Sequence, residues 1–147
     1  SLLLFFFMKN LFLFFFISFT SFSQINEGDL NGGDFVSNYM SFFQYDSSDK
    51  TYIPYEDSDP YEGEIFFSFD PYGQWFEMDV EGDSERFWIE FVGQKVFEDV
   101  KCDEYNIEDG RVFLVDYKNN RFLFFENKDK NGVFQTLISA TNVSKDE

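Results

Sequence analysis

The chain has 147 residues, with 28 acidic against 11 basic groups, a net charge of −17, no histidine and one cysteine. The missing histidine excludes Ser-His-Asp and Cys-His catalysis, histidine-built zinc sites and histidine pH switches; the single cysteine excludes thiolate zinc clusters and internal disulfides. The charge argues against nucleic acid and anionic membrane surfaces as partners, while 24 Phe, 8 Tyr and 2 Trp supply core material for one folded domain.

Met8-Lys9-Asn10 followed by Leu11-Phe12-Leu13-Phe14-Phe15-Phe16-Ile17 reads as a bacterial export signal, a short basic start and then an apolar run. Ser21-Phe22-Ser23 places small residues two apart, the pattern that signal peptidase reads, so residues 1–23 are expected to leave by a cut after Ser23. Ser1 to Phe7 precede a plausible start methionine and read as an upstream extension of the reading frame. The alternative is a retained anchor, since the whole apolar stretch is long enough to cross a bilayer. Removal leaves 124 of the 147 residues, takes nine Phe and Lys9 with it, and makes the mature chain a secreted or periplasmic protein that is not membrane-inserted. Cys102 is then a lone exported thiol, either for an intermolecular disulfide or as a small buried apolar side chain.

Gln24 to Asp34 is rich in Gly, Asn and acids and is expected to be a flexible lead-in. Phe35 to Tyr45 fits a helical face with Asp34 as N-cap, but its aromatic content favours a strand, with Asp46-Ser47-Ser48-Asp49 as the turn and Thr51-Tyr52-Ile53 as partner. Glu56 to Glu62 is an acidic loop holding Pro60.

From Gly63 onward, short strands alternate with turn signals at Asp70-Pro71-Tyr72-Gly73, Gly82-Asp83, Glu108-Asp109-Gly110, Asn119-Asn120 and Lys130-Asn131-Gly132. With Gly82-Asp83 as a two-residue loop, Met78 faces Phe87 and Phe76 faces Ile89 on one side; Asp79 faces Arg86, Glu77 faces Trp88 and Trp75 faces Glu90 on the other. The Asp70 turn pairs Phe67 with Phe76 and Ile65 with Met78. Residues 64–92 are thus expected to form a three-strand meander whose core is Ile65, Phe67, Phe69, Phe76, Met78, Val80, Phe87, Ile89 and Phe91. Val112-Phe113-Leu114-Val115 and Phe122-Leu123-Phe124-Phe125 are continuous apolar runs, which suit strands covered on both faces, joined by a type I′ turn at Asn119-Asn120. A last strand runs from Val133 to Ala140, and residues 142–147 form a tail. The expected architecture is an all-β antiparallel meander over 35–141, closed as a small barrel or folded as a two-sheet sandwich.

Two constellations carry candidate chemistry. On the meander face opposite its core, one row holds Phe66, Glu77 and Trp88 and the next holds Ser68, Trp75 and Glu90; in the opposite orientation they would line a cavity. Aromatic rings beside carboxylates stack on sugars or cage cations. Phe66, Trp75, Glu77, Trp88 and Glu90 are therefore the candidate ligand-binding residues. Diagonal cross-strand positions lie roughly 5–8 Å apart, so Glu77 and Glu90 also fit the paired carboxylates of a glycoside hydrolase.

The second constellation is acidic. Asp79, Glu81, Asp83 and Glu85 place carboxylates at every second position around a hairpin tip, a possible calcium site. Glu56, Asp57, Asp59, Glu62 and Glu64 offer a similar loop. Asn127 to Gly132 matches the opening of an EF-hand loop, but Ile138 stands where the bidentate Glu belongs and the flanks read as strands, so a plain turn is favoured. Asn142-Val143-Ser144 fits a glycosylation sequon and carries little weight in a bacterial chain. No cofactor is expected otherwise. Together these readings give an exported, non-enzymatic binding module for a small molecule or glycan. The alternatives are an acidic interaction or inhibitor protein for a basic partner, and a carboxylate-based hydrolase. If the export reading is right, the intact mass and N-terminal sequence of the protein recovered from a secreting bacterial host will place Gln24 first; retention of residues 8–23 would contradict it.

Overall fold

Alternating apolar and polar residues, and two continuous apolar runs, form the strands of the computed structural model, which describes residues 24–146. The export signal lies outside the described residues. Ten strands follow in order: β1 (Asp34–Asp46), β2 (Thr51–Pro54), β3 (Tyr61–Phe69), β4 (Trp75–Val80), β5 (Asp83–Phe97), β6 (Val100–Ile107), β7 (Val112–Asp116), β8 (Arg121–Lys128), β9 (Phe134–Thr141) and β10 (Ser144–Lys145). Residues 35–45 are strand rather than helix, and β2 is the partner expected for them. Strands β3 to β9 pair in sequence, and β1 joins both ends, pairing with β3 along one edge and β9 along the other. The result is a closed, antiparallel eight-strand barrel, not a sandwich.

Closure depends on a bulge in β1. Its register against β3 shifts between Ser37 and Tyr39, where its other neighbour changes from β10 (Val36 opposite Ser144) to β9 (Tyr39 opposite Thr141). Buried Ser37 bridges the break: its Oγ donates to the Thr141 carbonyl at 2.6 Å. Asn142, with φ 55°, makes the corresponding corner on the other strand and donates to Asn38 at 3.0 Å.

An eight-strand barrel is just wide enough for side chains to fill. Here they are mostly phenylalanines: Phe35, Phe67, Phe69, Phe76, Phe87, Phe113, Phe122 and Phe124 form one core with Ile65, Val115 and Ala140. Phe67 and Phe122, from strands that are not neighbours, meet edge to face at 4.9 Å; Phe76 and Phe87 stack at 4.9 Å. Such pairs add roughly 0.5–1.5 kcal/mol each beyond their burial. The segment expected as a lead-in, 24–34, delivers Ile25 and Leu30 into this core, and Val143 enters from the segment expected as a tail.

The two apolar runs are covered on both faces, as their sequence requires. Leu114, Leu123, Phe125 and Leu137 point outward into a second cluster with Val100 and Cys102, roofed by Tyr52, Phe97 and Phe134. Cys102 is buried, and burial first, then the nearby Asp116 carboxylate, pushes its thiol up to about 11.

Three expected hairpin registers are corrected, each by two residues. The β4–β5 loop is Glu81-Gly82, with Val80 opposite Asp83, so Phe76 faces Phe87 and Glu77 faces Arg86. Both loop residues have positive φ (53° and 86°), as a type I′ turn demands. In the β3–β4 hairpin Phe69, not Phe67, faces Phe76. The β7–β8 loop has four residues, 117–120, because Asp116 pairs with Arg121. A two-residue slip preserves which face each side chain takes, so the expected core survives with one exception. Phe91 is 55% exposed because β5 runs on past the end of β4.

That extension is latched to the barrel. Beyond Trp88, β5 pairs only with β6, and the two form an arm that turns at Glu98-Asp99. Phe97 near the tip packs 5.3 Å from Phe125. Arg121 reaches Glu98 at 3.4 Å and the fully buried Asp116 at 2.6 Å. Burial alone would raise the Asp116 pKa; hydrogen bonds from Asn119 and Arg121 outweigh it and hold the carboxyl below its ordinary value. Its contribution to stability is therefore present above the unfolded carboxyl pKa, roughly 4, and is lost as pH falls through the lower folded value. Arg121→Met leaves a buried charge unpaired and is expected to cost about 3–5 kcal/mol in urea unfolding at neutral pH, a deficit that shrinks as acid protonates Asp116. A deficit that does not change with pH would contradict this assignment.

Candidate functional site

The β4–β5 register sets the outer wall. Trp75 and Trp88 are directly opposite, as are Glu77 and Arg86 on the next rung. Arg86 donates to Glu77 Oε1 through Nη2 at 2.6 Å and Nε at 3.0 Å. Its guanidinium lies 3.8 Å from the centre of the Trp75 ring and 6.0 Å from that of Trp88. Arg86 thus already holds both the carboxylate and the indole face that an external cation would use. The sequence reading placed Arg86 opposite Asp79 and so did not find this contact.

Trp88 is free by comparison, 47% exposed. It borders an open groove of about 560 Å³ with Gln74, Ile89, Glu90, Asn106, Ile107 and Glu108. Glu90 faces Asn106 across the β5–β6 ladder, and the Glu108 amide donates to the Trp88 carbonyl at 3.0 Å. These pairings put Trp88, Glu90, Asn106 and Glu108 on one side of the wall. Arg86 and Arg111 line an adjoining depression that shares Trp88, Ile107 and Glu108 with the groove, and both are paired with carboxylates. Two carboxylates and two amides around one indole can accept hydrogen bonds from hydroxyls, donate to ring oxygens and stack against an apolar sugar face.

Of the expected binding residues, the structure brings Trp88 and Glu90 to one groove. Trp75 and Glu77 are turned to Arg86. Phe66, 38% exposed, lines a separate, smaller depression with Glu77, Asp79 and Ser84. The checkerboard faces outward, so it does not line a cavity. Glu77 pairs opposite Arg86, four residues along β5 from Glu90, so the two carboxylates are not the diagonal neighbours that the expected register made them. Gln74, Asn106 and Glu108 were not found from sequence. Finding the last two needed the β5–β6 register, which places position 106 across from 90 and which the sequence does not announce.

The acidic hairpin tip diverges. Asp79 accepts bonds from the Gly82 amide at 3.0 Å and the Ser84 hydroxyl at 2.8 Å. Glu81 accepts from the Tyr61 hydroxyl, and Glu85 lies 3.6 Å from Arg111. Among the described residues no three acidic or sulfur side chains converge as a metal site would require, and Asp83 and the 56–64 acids add none. In the loop at 127–132, Asp129 turns inward to accept from the amides of Asn131 and Val133, each at 2.9 Å, and from the Gln135 side chain. This is a hairpin turn closed by its own carboxylate. No protein-family model, curated protein or solved structure matches the chain.

Proposed function

We propose that this is an exported, non-enzymatic binding module that takes a hydroxyl-rich ligand, a glycan, on its outer wall at Trp88. One observation carries the reading: the exposed Trp88 indole stands on β5 beside Glu90, Asn106, Glu108 and Gln74 in a single groove, with Arg86 and Arg111 held by carboxylates on its far side. The phenylalanine-filled interior supports an external site, because the space where a larger barrel would hold a ligand is occupied by side chains. An open wall suits one face of a sugar chain, stacked on the indole and hydrogen-bonded at its edges. Export is supported by the apolar run and small-residue pattern of residues 8–23.

Fluorescence titration against soluble oligosaccharides tests the proposal, with the two tryptophans told apart by substitution. Trp75→Phe keeps a saturable response, since the Trp75 face is already covered by Arg86. Trp88→Ala weakens binding by roughly 5- to 150-fold, the loss of a stacked ring worth roughly 1–3 kcal/mol. Asn106→Ala weakens it less. An unchanged affinity in Trp88→Ala, or no response to any sugar in the wild type, would contradict the proposal.

A further inference from the structure

β4 ends its pairing with β5 at Trp75 opposite Trp88, and the last bond across that edge runs from the Ile89 amide to the Gln74 carbonyl at 3.0 Å. From there to Phe97, β5 is paired with β6 on one side, and among the described residues nothing is paired with the other. Backbone groups of successive strand residues point to opposite edges. The Trp88 carbonyl points to β6 and the Ile89 amide away from it, so the Phe91 amide and carbonyl also face the open side. Along this edge Phe91, Val92 and Val96 are 55%, 45% and 65% exposed. An unpaired edge flanked by exposed apolar side chains is a template for strand addition.

We propose that the open edge of β5, residues 89–97, receives an extended cationic polypeptide segment as an added strand, its apolar residues alternating with lysine or arginine. Charge selects this occupant. On the arm, Glu90, Glu98, Asp99, Asp103 and Glu104 outnumber Lys95 and Lys101, and Lys95 is already 3.7 Å from Glu104. The chain as a whole carries −17. The same charge repels a second copy. The bulge at Val92, where the register against β6 shifts between Phe91 and Gly93, further disfavours the regular pairing of two identical edges. A cationic segment meets no such repulsion, gains the unmade backbone bonds, and covers Phe91, Val92 and Val96. The proposal stands independently of whether the Trp88 groove takes a sugar.

The test uses the full chain and a short peptide of alternating lysine and valine, with an alternating glutamate–valine peptide as control. Binding and amide hydrogen exchange are both measured. The cationic peptide is expected to slow exchange at least tenfold at Phe91 and its neighbours in 89–97, and to lose at least tenfold in affinity from low to high salt; the acidic peptide is expected not to bind. Phe91→Pro removes the amide that faces the open edge and is expected to lose binding. Val96→Lys alters an exposed position, leaves the core untouched, and is expected to lose binding as well, so the test holds even if the proline variant fails to fold. No binding, binding that leaves exchange in 89–97 unchanged, equal binding of the acidic peptide, or full binding by Val96→Lys would each overturn the proposal. A parent chain that sediments as a dimer while Val96→Lys is monomeric would assign the edge to a second copy and overturn it too.

Discussion

Closing a sheet of eight strands encloses a space that water cannot usefully occupy, and the rest of this structure follows from how that space is filled. The enclosed rings are large, flat and apolar, and they meet at angles their quadrupoles favour, as Phe67 does with Phe122. Filling the interior with such rings consumes the volume that a barrel could otherwise offer a ligand. Binding is thereby moved to the wall. The seam that makes closure possible is narrow and specific: a bulge in β1, a buried serine bonded across it, and a change of partner from β10 to β9.

The acids are distributed in keeping with that arrangement. Most lie at turns and on the outer surface, where they are solvated or locally paired. Among the described residues two acids are buried: Asp70, which accepts from the Gln74 amide in its own turn, and Asp116, which is fully buried and fixed by Arg121 and Asn119. Through Arg121 the same carboxylate connects to Glu98 and so to the tip of the β5–β6 arm. A lone buried charge would be costly. Here it anchors an extension that would otherwise depend on the packing of Phe97 and its neighbours.

Much of the fold was legible because side-chain alternation in strands has a period of two. That period assigns Phe67, Phe76 and Phe87 to one face and Trp75, Glu77, Arg86 and Trp88 to the other without knowledge of the partner strand. It leaves the register free by multiples of two. Local turn chemistry decides between those registers: two adjacent positive-φ residues at Glu81-Gly82, and the Asp116 carboxylate that makes the 117–120 loop four residues long. The outward row of candidate residues was correctly placed on one face, yet its cross-strand partners changed with the register. Arg86 moved opposite Glu77 and occupied the Trp75 side of the site. Asn106 lies on β6 and Glu108 just past its end, and no turn signal in the sequence announces the pairing of β6 with β5. The exposure of Phe91 was hidden for a related reason, since it follows from β4 being shorter than β5.

Filling of the interior by phenylalanine leaves no room there for a ligand. This filling is tested most directly by nuclear Overhauser contacts between the ring protons of Phe67 on β3 and Phe122 on β8, recorded with slow ring flipping. Strong contacts between these two rings, unchanged on adding an apolar dye, are what a filled barrel gives. Absent contacts, or contacts that vanish as the dye enters, would show an interior that is open and would return the binding site to the inside of the barrel.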